Sequence, residues 1–273
     1  MLGQHEMKPD RPLDIASLRK SLPGWEVFYQ TRMTSTNDEA RRLAREGTPD
    51  WTVVLTEEQT AGRGRRGARW VSPPGRNGIV SVLRRPGPGL PPEKWARFTL
   101  AAALAGCDAL DAVPGLSATA EIKWPNDLYL SGRKVAGILV ESAFAAKGGF
   151  VVIGTGFNLN LETSDFPEEL RESATSVWLG RGGPWLDRTV FLTNYLQAME
   201  ARCVAAEEDF ERLRKEAWRR SWLANRRVTL TSAGQILEGI VFGLGPEGEL
   251  LLKLDNGAVQ VISSADLVRP VND

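Results

Sequence analysis

Four short stretches of this chain carry side chains suited to chemistry. The first is Ser35-Thr36-Asn37. The second spans residues 59–75: it opens on Gln59, interleaves Gly62, Gly64 and Gly67 with Arg63, Arg65, Arg66 and Arg69, and closes on Trp70 and Ser72-Pro73-Pro74-Gly75. The third is Lys123-Trp124-Pro125-Asn126-Asp127, followed by Lys134 and Gly137. The fourth is Gly154-Thr155-Gly156-Phe157-Asn158. His5 is the only histidine, and Cys107 and Cys203 lie far apart without a metal-ligand pattern. Histidine triads and histidine-ligated zinc are therefore nearly excluded. Catalysis has to rest on lysine, arginine, carboxylates and backbone groups.

The glycine/arginine stretch is the most pointed of the four. From residue 59 to 92 there is no Asp or Glu, so the chain offers its arginines little local neutralisation. Arginines are seldom buried without anionic partners. Forked guanidinium groups on a flexible backbone suit a loop that closes over phosphates or carboxylates. Taken alone, the same stretch also reads as a solvated basic loop or a nucleic-acid contact, because short Gly/Arg motifs are weak signals. Ser35-Thr36-Asn37 likewise has two readings: simple helix capping, or a polar pocket at a helix N-terminus for a ligand's hydrogen-bonding head group.

The elements that must position these residues follow from pattern. Residues 25–30 read as a strand. Thr36 with Glu39 forms a capping box ahead of Ala40, Leu43 and Ala44 at helical spacing, with Gly47 as the stop. Residues 51–56 and 78–84 are β-rich and flank the arginine loop. Residues 93–113 place Trp95, Phe98, Ala102, Ala105, Ala109 and Val113 on one helical face. A strand over 119–124 breaks at Pro125, which cannot donate to a ladder, and leaves Asn126 and Asp127 in a turn. Ser131-Gly132-Arg133 marks a hairpin between 128–130 and 135–142, with Lys134 early on the returning strand. Residues 150–160 read as a buried strand whose Gly154 and Gly156 mark close approach of a ligand or another backbone. A turn of helix is expected near 15–22, a loop over 173–184 and one long helix over 187–222. Beyond 227 only short strands and turns remain, which predicts a small appended β domain.

The 273 residues carry no net charge, 42% hydrophobic and 25% charged residues. That composition is ordinary for a globular protein and gives no footprint of a general nucleic-acid or membrane-surface binder. The positive charge is local, so it points to a site. No N-terminal signal pattern and no membrane-length apolar run is present, and the reduced cysteines fit a cytoplasmic protein.

Taken in order, the four motifs resemble those of biotin–protein ligases, with Lys134-Val135-Ala136-Gly137-Ile138-Leu139 completing the third; the match runs from about residue 31 to the C-terminus. The resemblance implies an α+β fold: a mixed, mostly antiparallel sheet with helices mainly on one face, related to class II aminoacyl-tRNA synthetases, plus a C-terminal SH3-like β-barrel. It implies an N-terminal extension over 1–24, a catalytic domain over 25–224 and the barrel over 225–273. With so few residues ahead of the first strand, it is the monofunctional class, without a winged-helix DNA-binding domain, that the chain is similar to.

It also implies a ligase reaction, in which biotin and ATP give biotinyl-5′-AMP and the biotinyl group passes to a lysine of a biotin carboxyl carrier protein, of acetyl-CoA carboxylase or a similar enzyme. DNA and membrane are not implied as partners, and the family contains both monomers and homodimers. Lys134 and Arg63 correspond to catalytic residues. Ser35, Thr36, Asn37, Gln59, Gly62, Arg63, Gly64, Arg65, Lys134, Gly137, Gly154 and Gly156 correspond to the biotin site. Arg63, Arg65, Arg66, Trp70, Asn126, Asp127, Lys134 and Asn158 correspond to the ATP/adenylate site, with Asn126 and Asp127 as candidate Mg²⁺ ligands. One departure stands out: family loops often carry arginine directly after the residue matching Gly67, and this chain has Ala68 there, with Arg69 one place on.

Overall fold

A computed structural model describes residues 11–145, 148–232, 234–265 and 267–271; His5 lies outside them. Seven strands build the main sheet: β1 (Glu26–Met33), β2 (Thr52–Gln59), β3 (Gly78–Arg84), β4 (Glu121–Lys123), β5 (Asp127–Leu130), β6 (Arg133–Ala145) and β7 (Gly148–Phe157). They lie in the order β1-β2-β3-β7-β6-β5-β4. β1 and β2 run parallel and every other neighbouring pair antiparallel, so the sheet is mixed and mostly antiparallel, as expected.

Side-chain alternation splits the sheet into two unlike faces. Val53, Leu55, Val80, Val82, Val151 and Ile153 face the main core, where α3 (Arg97–Asp111), α5 (Arg188–Glu208) and α6 (Phe210–Arg219) pack, with α1 (Ile15–Ser21) against α5. Val54, Leu83, Phe150 and Val152 face the other way and bury Ala40, Leu43 and Ala44 of α2 (Thr36–Arg45). One short helix thus covers part of a face that is otherwise open, and the functional residues gather beside it.

The C-terminal region forms a separate five-stranded antiparallel sheet, β11-β10-β9-β8-β12, from β8 (Arg227–Ser232), β9 (Gln235–Leu244), β10 (Leu250–Lys253), β11 (Val259–Ile262) and β12 (Leu267–Pro270). The last strand was not foreseen: its four residues end on Pro270, and a proline there lowers the strand signal.

Several local expectations need correction. The N-cap of α2 is Ser35, whose hydroxyl accepts from Asp38 N at 3.5 Å. Thr36 is the first helical residue, and Glu39 pairs with Arg42, so the expected Thr36–Glu39 box is absent. Asp127 opens β5 and does not lie in a turn. The 187–222 helix breaks at Asp209, whose carboxylate caps α6. The 173–184 loop contains α4 (Val177–Arg181). α3 begins at Arg97, and its buried surface extends round Leu100, Ala101, Ala103 and Leu104, beyond the single face predicted. A helix between a sheet and two other helices is apolar all round.

A buried ion pair anchors both ends of the arginine loop. Arg188, at the start of α5, is 3% exposed. It donates to Glu57 Oε2 at 2.7 Å, Asn77 O at 3.0 Å and Arg11 O at 2.6 Å. Glu57 also accepts from Leu13 N at 2.8 Å and Tyr29 Oη at 2.9 Å; burial, with this carboxylate beside it, pushes the Tyr29 phenol up to about 12. Glu57 lies near the end of β2 and Asn77 immediately before β3, so one guanidinium ties the two stems of the loop together and docks the N-terminal segment on them. Removing one partner of such a buried pair costs about 3–5 kcal/mol.

Candidate active site

A cavity of about 590 Å³ opens on the α2 face of the sheet. Its floor follows from register. Ser81 of β3, Gly154 of β7 and Leu139 of β6 form one cross-strand row; Ile79, Gly156 and Gly137 form the next. On both rows the central strand carries no side chain, so other groups descend onto it. Above Gly154 sits Asn37, delivered by the first turn of α2: a Cβ at Gly154 would lie 2.8 Å from Asn37 Cγ. Above Gly156 sits Trp70, delivered by the arginine loop: a Cβ there would lie 2.5 Å from its Cε2. A Cβ at Gly137 would meet Trp70 Cζ3 at 3.2 Å and Lys134 Nζ at 3.3 Å. The expected close approach is real, and its partners are two side chains of this chain.

The head end of the cavity is polar and tightly bonded. Gln59 Oε1 accepts from Thr36 N at 2.8 Å and Thr36 Oγ1 at 3.1 Å. Ser81, fully buried, lies 2.7 Å from Thr36 Oγ1 and 2.6 Å from Asn37 Oδ1. Asn37 Nδ2 donates to Glu141 Oε2 at 2.7 Å and to Leu139 O at 3.3 Å. Gly62 is packed under this cluster rather than along the cavity wall: a Cβ there would lie 2.9 Å from Gln59 Nε2.

The other end is cationic. Lys134 Nζ lies 2.7 Å from Asp127 Oδ1 and 5.8 Å from the Trp70 ring centre. The hairpin turn at Ser131-Gly132 sets this pair across β5 and β6. Arg65 is partly buried and, among the described residues, bonds neutral oxygens, Asn126 Oδ1 and Ser264 Oγ, each at 3.3 Å. Burial and the neighbouring Arg66 lower its pKa, against the pull of Asp127. A partly dehydrated guanidinium that bonds no carboxylate among the described residues is suited to an anion. Arg63, in contrast, is held bidentately by Asp38 at 2.7 and 2.6 Å, which pulls the Asp38 carboxyl below its usual range. Trp70 Nε1 is buried without a hydrogen-bond partner among the described residues.

Of the site residues expected from sequence, Ser35, Thr36, Asn37, Gln59, Arg63, Gly64, Arg65, Arg66, Trp70, Asn126, Asp127, Lys134, Gly137, Gly154 and Gly156 all line this one cavity. Asn158 does not; its amide donates to Thr175 O at 3.0 Å. Ala68 and Arg69 do line it, and Arg69 is exposed. No group of three or more His, Cys, Asp or Glu that could hold a metal occurs among the described residues. Asn126 Nδ2 bonds Ile138 O at 2.9 Å, so Asp127 offers the one carboxylate of the expected pair.

Six contributors lay outside the expected site residues, although Lys123 opens one of the four motifs. Ser81 is a lone hydroxyl in the apolar run Ile79-Val80-Ser81-Val82-Leu83, a signal that was legible. Asp38 directly follows the Ser-Thr-Asn motif. Lys123 lines the cavity above Tyr129 and Trp222; it donates to Tyr129 Oη at 2.9 Å, and burial lowers its pKa. Ser264, Ala265 and Val268 reach the site from the C-terminal sheet, and nothing local announces them.

Comparison with known proteins converges on one family. Residues 27–158 match the model described as the biotin/lipoate A/B protein ligase family, and residues 224–268 match the biotin protein ligase C-terminal domain. The chain is 35% identical over 280 residues to the biotin–[acetyl-CoA-carboxylase] ligase of Mycobacterium tuberculosis, covering 98% of this chain and 99% of that one. It is 34% identical over 253 residues to the bifunctional ligase/repressor BirA of Bacillus spizizenii, covering 92% and 76%. Among solved structures, the Aquifex aeolicus biotin protein ligase in complex with biotin and ATP superposes with a TM-score of 0.75 at 24% identity, over 90% of this chain and 99% of that one; at that identity the likeness bears on fold.

Proposed function

Because this chain belongs to the biotin/lipoate A/B protein ligase family, we propose that its cavity binds biotin and ATP and joins them. The protein is an ATP-dependent biotin–protein ligase. It activates biotin as biotinyl-5′-AMP and transfers the biotinyl group to a lysine of a biotin carboxyl carrier protein. The single observation that carries this reading is the two-ended cavity: a bonded polar cluster at one end, Lys134 and Arg65 at the other, and Trp70 between them over Gly137 and Gly156.

Biotin's ring fits the Thr36–Gln59 end, where fixed donors and acceptors reject near relatives. Its valeryl chain then runs past Trp70, which itself packs on Gly137 and Gly156, toward the cationic end of the cavity. That path places its carboxylate near Lys134 and Arg65. There the α-phosphate of ATP meets it in a site already lined by cations. The carboxylate oxygen attacks phosphorus, the P–O bond to pyrophosphate breaks, and the mixed anhydride forms. Adenylyl transfer depends on alignment and charge neutralisation, so the scarcity of histidine is no obstacle. Lys134 neutralises the two approaching anions and the charge that builds between them. In the second half-reaction the carrier's lysine amine attacks the acyl carbon and AMP leaves.

Mg²⁺ commonly binds through one or two carboxylates plus phosphate oxygens, and Asp127, now paired with Lys134, would supply the carboxylate for an ion brought in on ATP. We assign Asn126 to orienting Arg65, on the strength of their hydrogen bond. Residues 25–224 act as the catalytic domain and 225–273 as a domain that closes on it through Ser264. We propose a cytoplasmic location, supported by two free buried cysteines, and service to acetyl-CoA carboxylase, supported by the name of the Mycobacterium tuberculosis relative. No helix among the described residues is long and apolar enough to cross a membrane.

Two results are expected. Incubation with ATP, Mg²⁺, biotin and an apo carrier domain adds one biotinyl group to the carrier, read as its mass; an unmodified carrier contradicts the reading. The 62–75 loop becomes more resistant to protease with biotin and ATP than without, because an anion competes with Asp38 for Arg63 and bonds Arg65. Equal cleavage rates in both states rule out this ordering step.

A further inference from the structure

Resting on the biotin reading of the cavity, we propose that Ser81 and Glu141 are positioning residues that fix the hydrogen-bond polarity of its head end. Neither touches the ligand in this account. They act through Asn37 and Thr36, and the argument is one of donor count.

Asn37 Nδ2 faces two acceptors, Glu141 Oε2 at 2.7 Å and Leu139 O at 3.3 Å. A carboxylate cannot donate, so the amide cannot turn over without setting oxygen against oxygen. Arg41 holds that carboxylate in place from the adjoining turn of α2, at 3.2 Å. Asn37 Oδ1 must then face Ser81, and because it only accepts, the Ser81 hydroxyl donates to it across 2.6 Å. Ser81 therefore turns a lone pair toward Thr36 Oγ1, 2.7 Å away. The Thr36 hydrogen goes to that lone pair, because sending it to Gln59 Oε1 at 3.1 Å would set two hydroxyl oxygens lone pair against lone pair across 2.7 Å. It therefore points into the protein, and the Thr36 hydroxyl has a lone pair left to offer the cavity that Thr36 lines.

A fixed acceptor at this place selects a ligand N–H. A cyclic urea nitrogen carrying hydrogen satisfies it; the same nitrogen bearing a methyl group does not. Gly154 is part of the device, because only a residue without Cβ lets Asn37 descend between Ser81 and Leu139. Ser81 lies in a sheet interior where rotation of a hydroxyl has few alternatives, so the polarity is set before the ligand arrives.

The test is steady-state biotin-dependent pyrophosphate release. Ser81→Ala removes the donor to Asn37 and frees the Thr36 hydroxyl. It should raise KM for biotin about ten-fold or more, the worth of a disrupted buried hydrogen bond, while kcat and KM for ATP change less than about two-fold. It should also narrow the parent's preference for biotin over ring-N-methylated biotin. A biotin KM within about two-fold of the parent overturns the proposal, as does an equal loss for both substrates, which marks a general packing defect. Should Ser81→Ala fail to fold, Glu141 decides. Glu141→Leu removes the acceptor and should raise biotin KM, and Glu141→Gln, whose amide oxygen still accepts from Asn37, should recover most of it; no difference between the two overturns the proposal. Absence of biotin-dependent release from the parent chain would instead overturn the ligase reading itself, and this one with it.

Discussion

Lys134→Ala is expected to lower biotin-dependent pyrophosphate release by roughly 10²- to 10³-fold while the fold stands, the range typical for loss of one preorganised charge-stabilising donor. The site explains both halves. Lys134 Nζ sits 2.7 Å from Asp127 Oδ1 at the cationic end of the cavity. Arg63 is held by Asp38, which leaves Lys134 and Arg65 as the cations nearest the place where carboxylate and α-phosphate must meet. The Lys134 side chain is a third exposed, but Asp127 Oδ1 beside it is buried, so removing Lys134 costs the fold about 1–3 kcal/mol for the carboxylate left unpaired. Biotin binding, which the proposed reading assigns to the Thr36–Gln59 end, should weaken little. Lys134→Arg should recover only part of the rate, because a planar fork does not replace a compact ammonium at this point. Release within about three-fold of the parent in Lys134→Ala would remove the residue from its role.

Gly154→Ala is the second large effect, and it should appear in binding instead of chemistry. The added Cβ would fall within 2.8 Å of Asn37 Cγ and 3.0 Å of its Nδ2. Asn37 is held by Ser81, Glu141 and Leu139, so it moves aside only by breaking those bonds or lifting the first turn of α2. Forcing a methyl into such packing costs about 1–3 kcal/mol of stability. Biotin affinity should fall by about 100-fold or more, since Thr36 moves with that turn and leaves its bonds to Gln59 of β2. Calorimetric titration with biotin reads the affinity, and thermal melting reads the fold. An affinity equal to the parent's would show that Asn37 is not part of the binding end.

The sequence made the catalytic half of the molecule legible because its chemistry is local. Gly62 to Trp70, Lys123 to Lys134 and Ser35 to Asn37 are contiguous motifs, and their strands alternate cleanly enough to place them. What the glycines do was less accessible. Gly154 and Gly156 announced a close approach, but only the register of β3, β7 and β6 shows that Asn37 and Trp70 make it. The N-cap slipped by one residue because Glu39 completes a capping-box pattern with Thr36, although Ser35 is the better cap in isolation; bonds from Thr36 to Gln59 and Ser81 leave Ser35 to cap. Asn158 sits inside a motif, yet its amide is turned to Thr175. Ser264 and Val268 could not be found at all, because a contact made across 199 residues, Arg65 to Ser264, leaves no mark on either segment.

The most direct test of the central claim needs no carrier protein. The chain is incubated with equal biotin and lipoate, ATP and Mg²⁺, and the bound small molecule is extracted and identified by mass spectrometry. The account predicts biotinyl-5′-AMP, about one per chain, with matching pyrophosphate release. Lipoyl-AMP as the main product, or bound biotin without any adenylate, would contradict it.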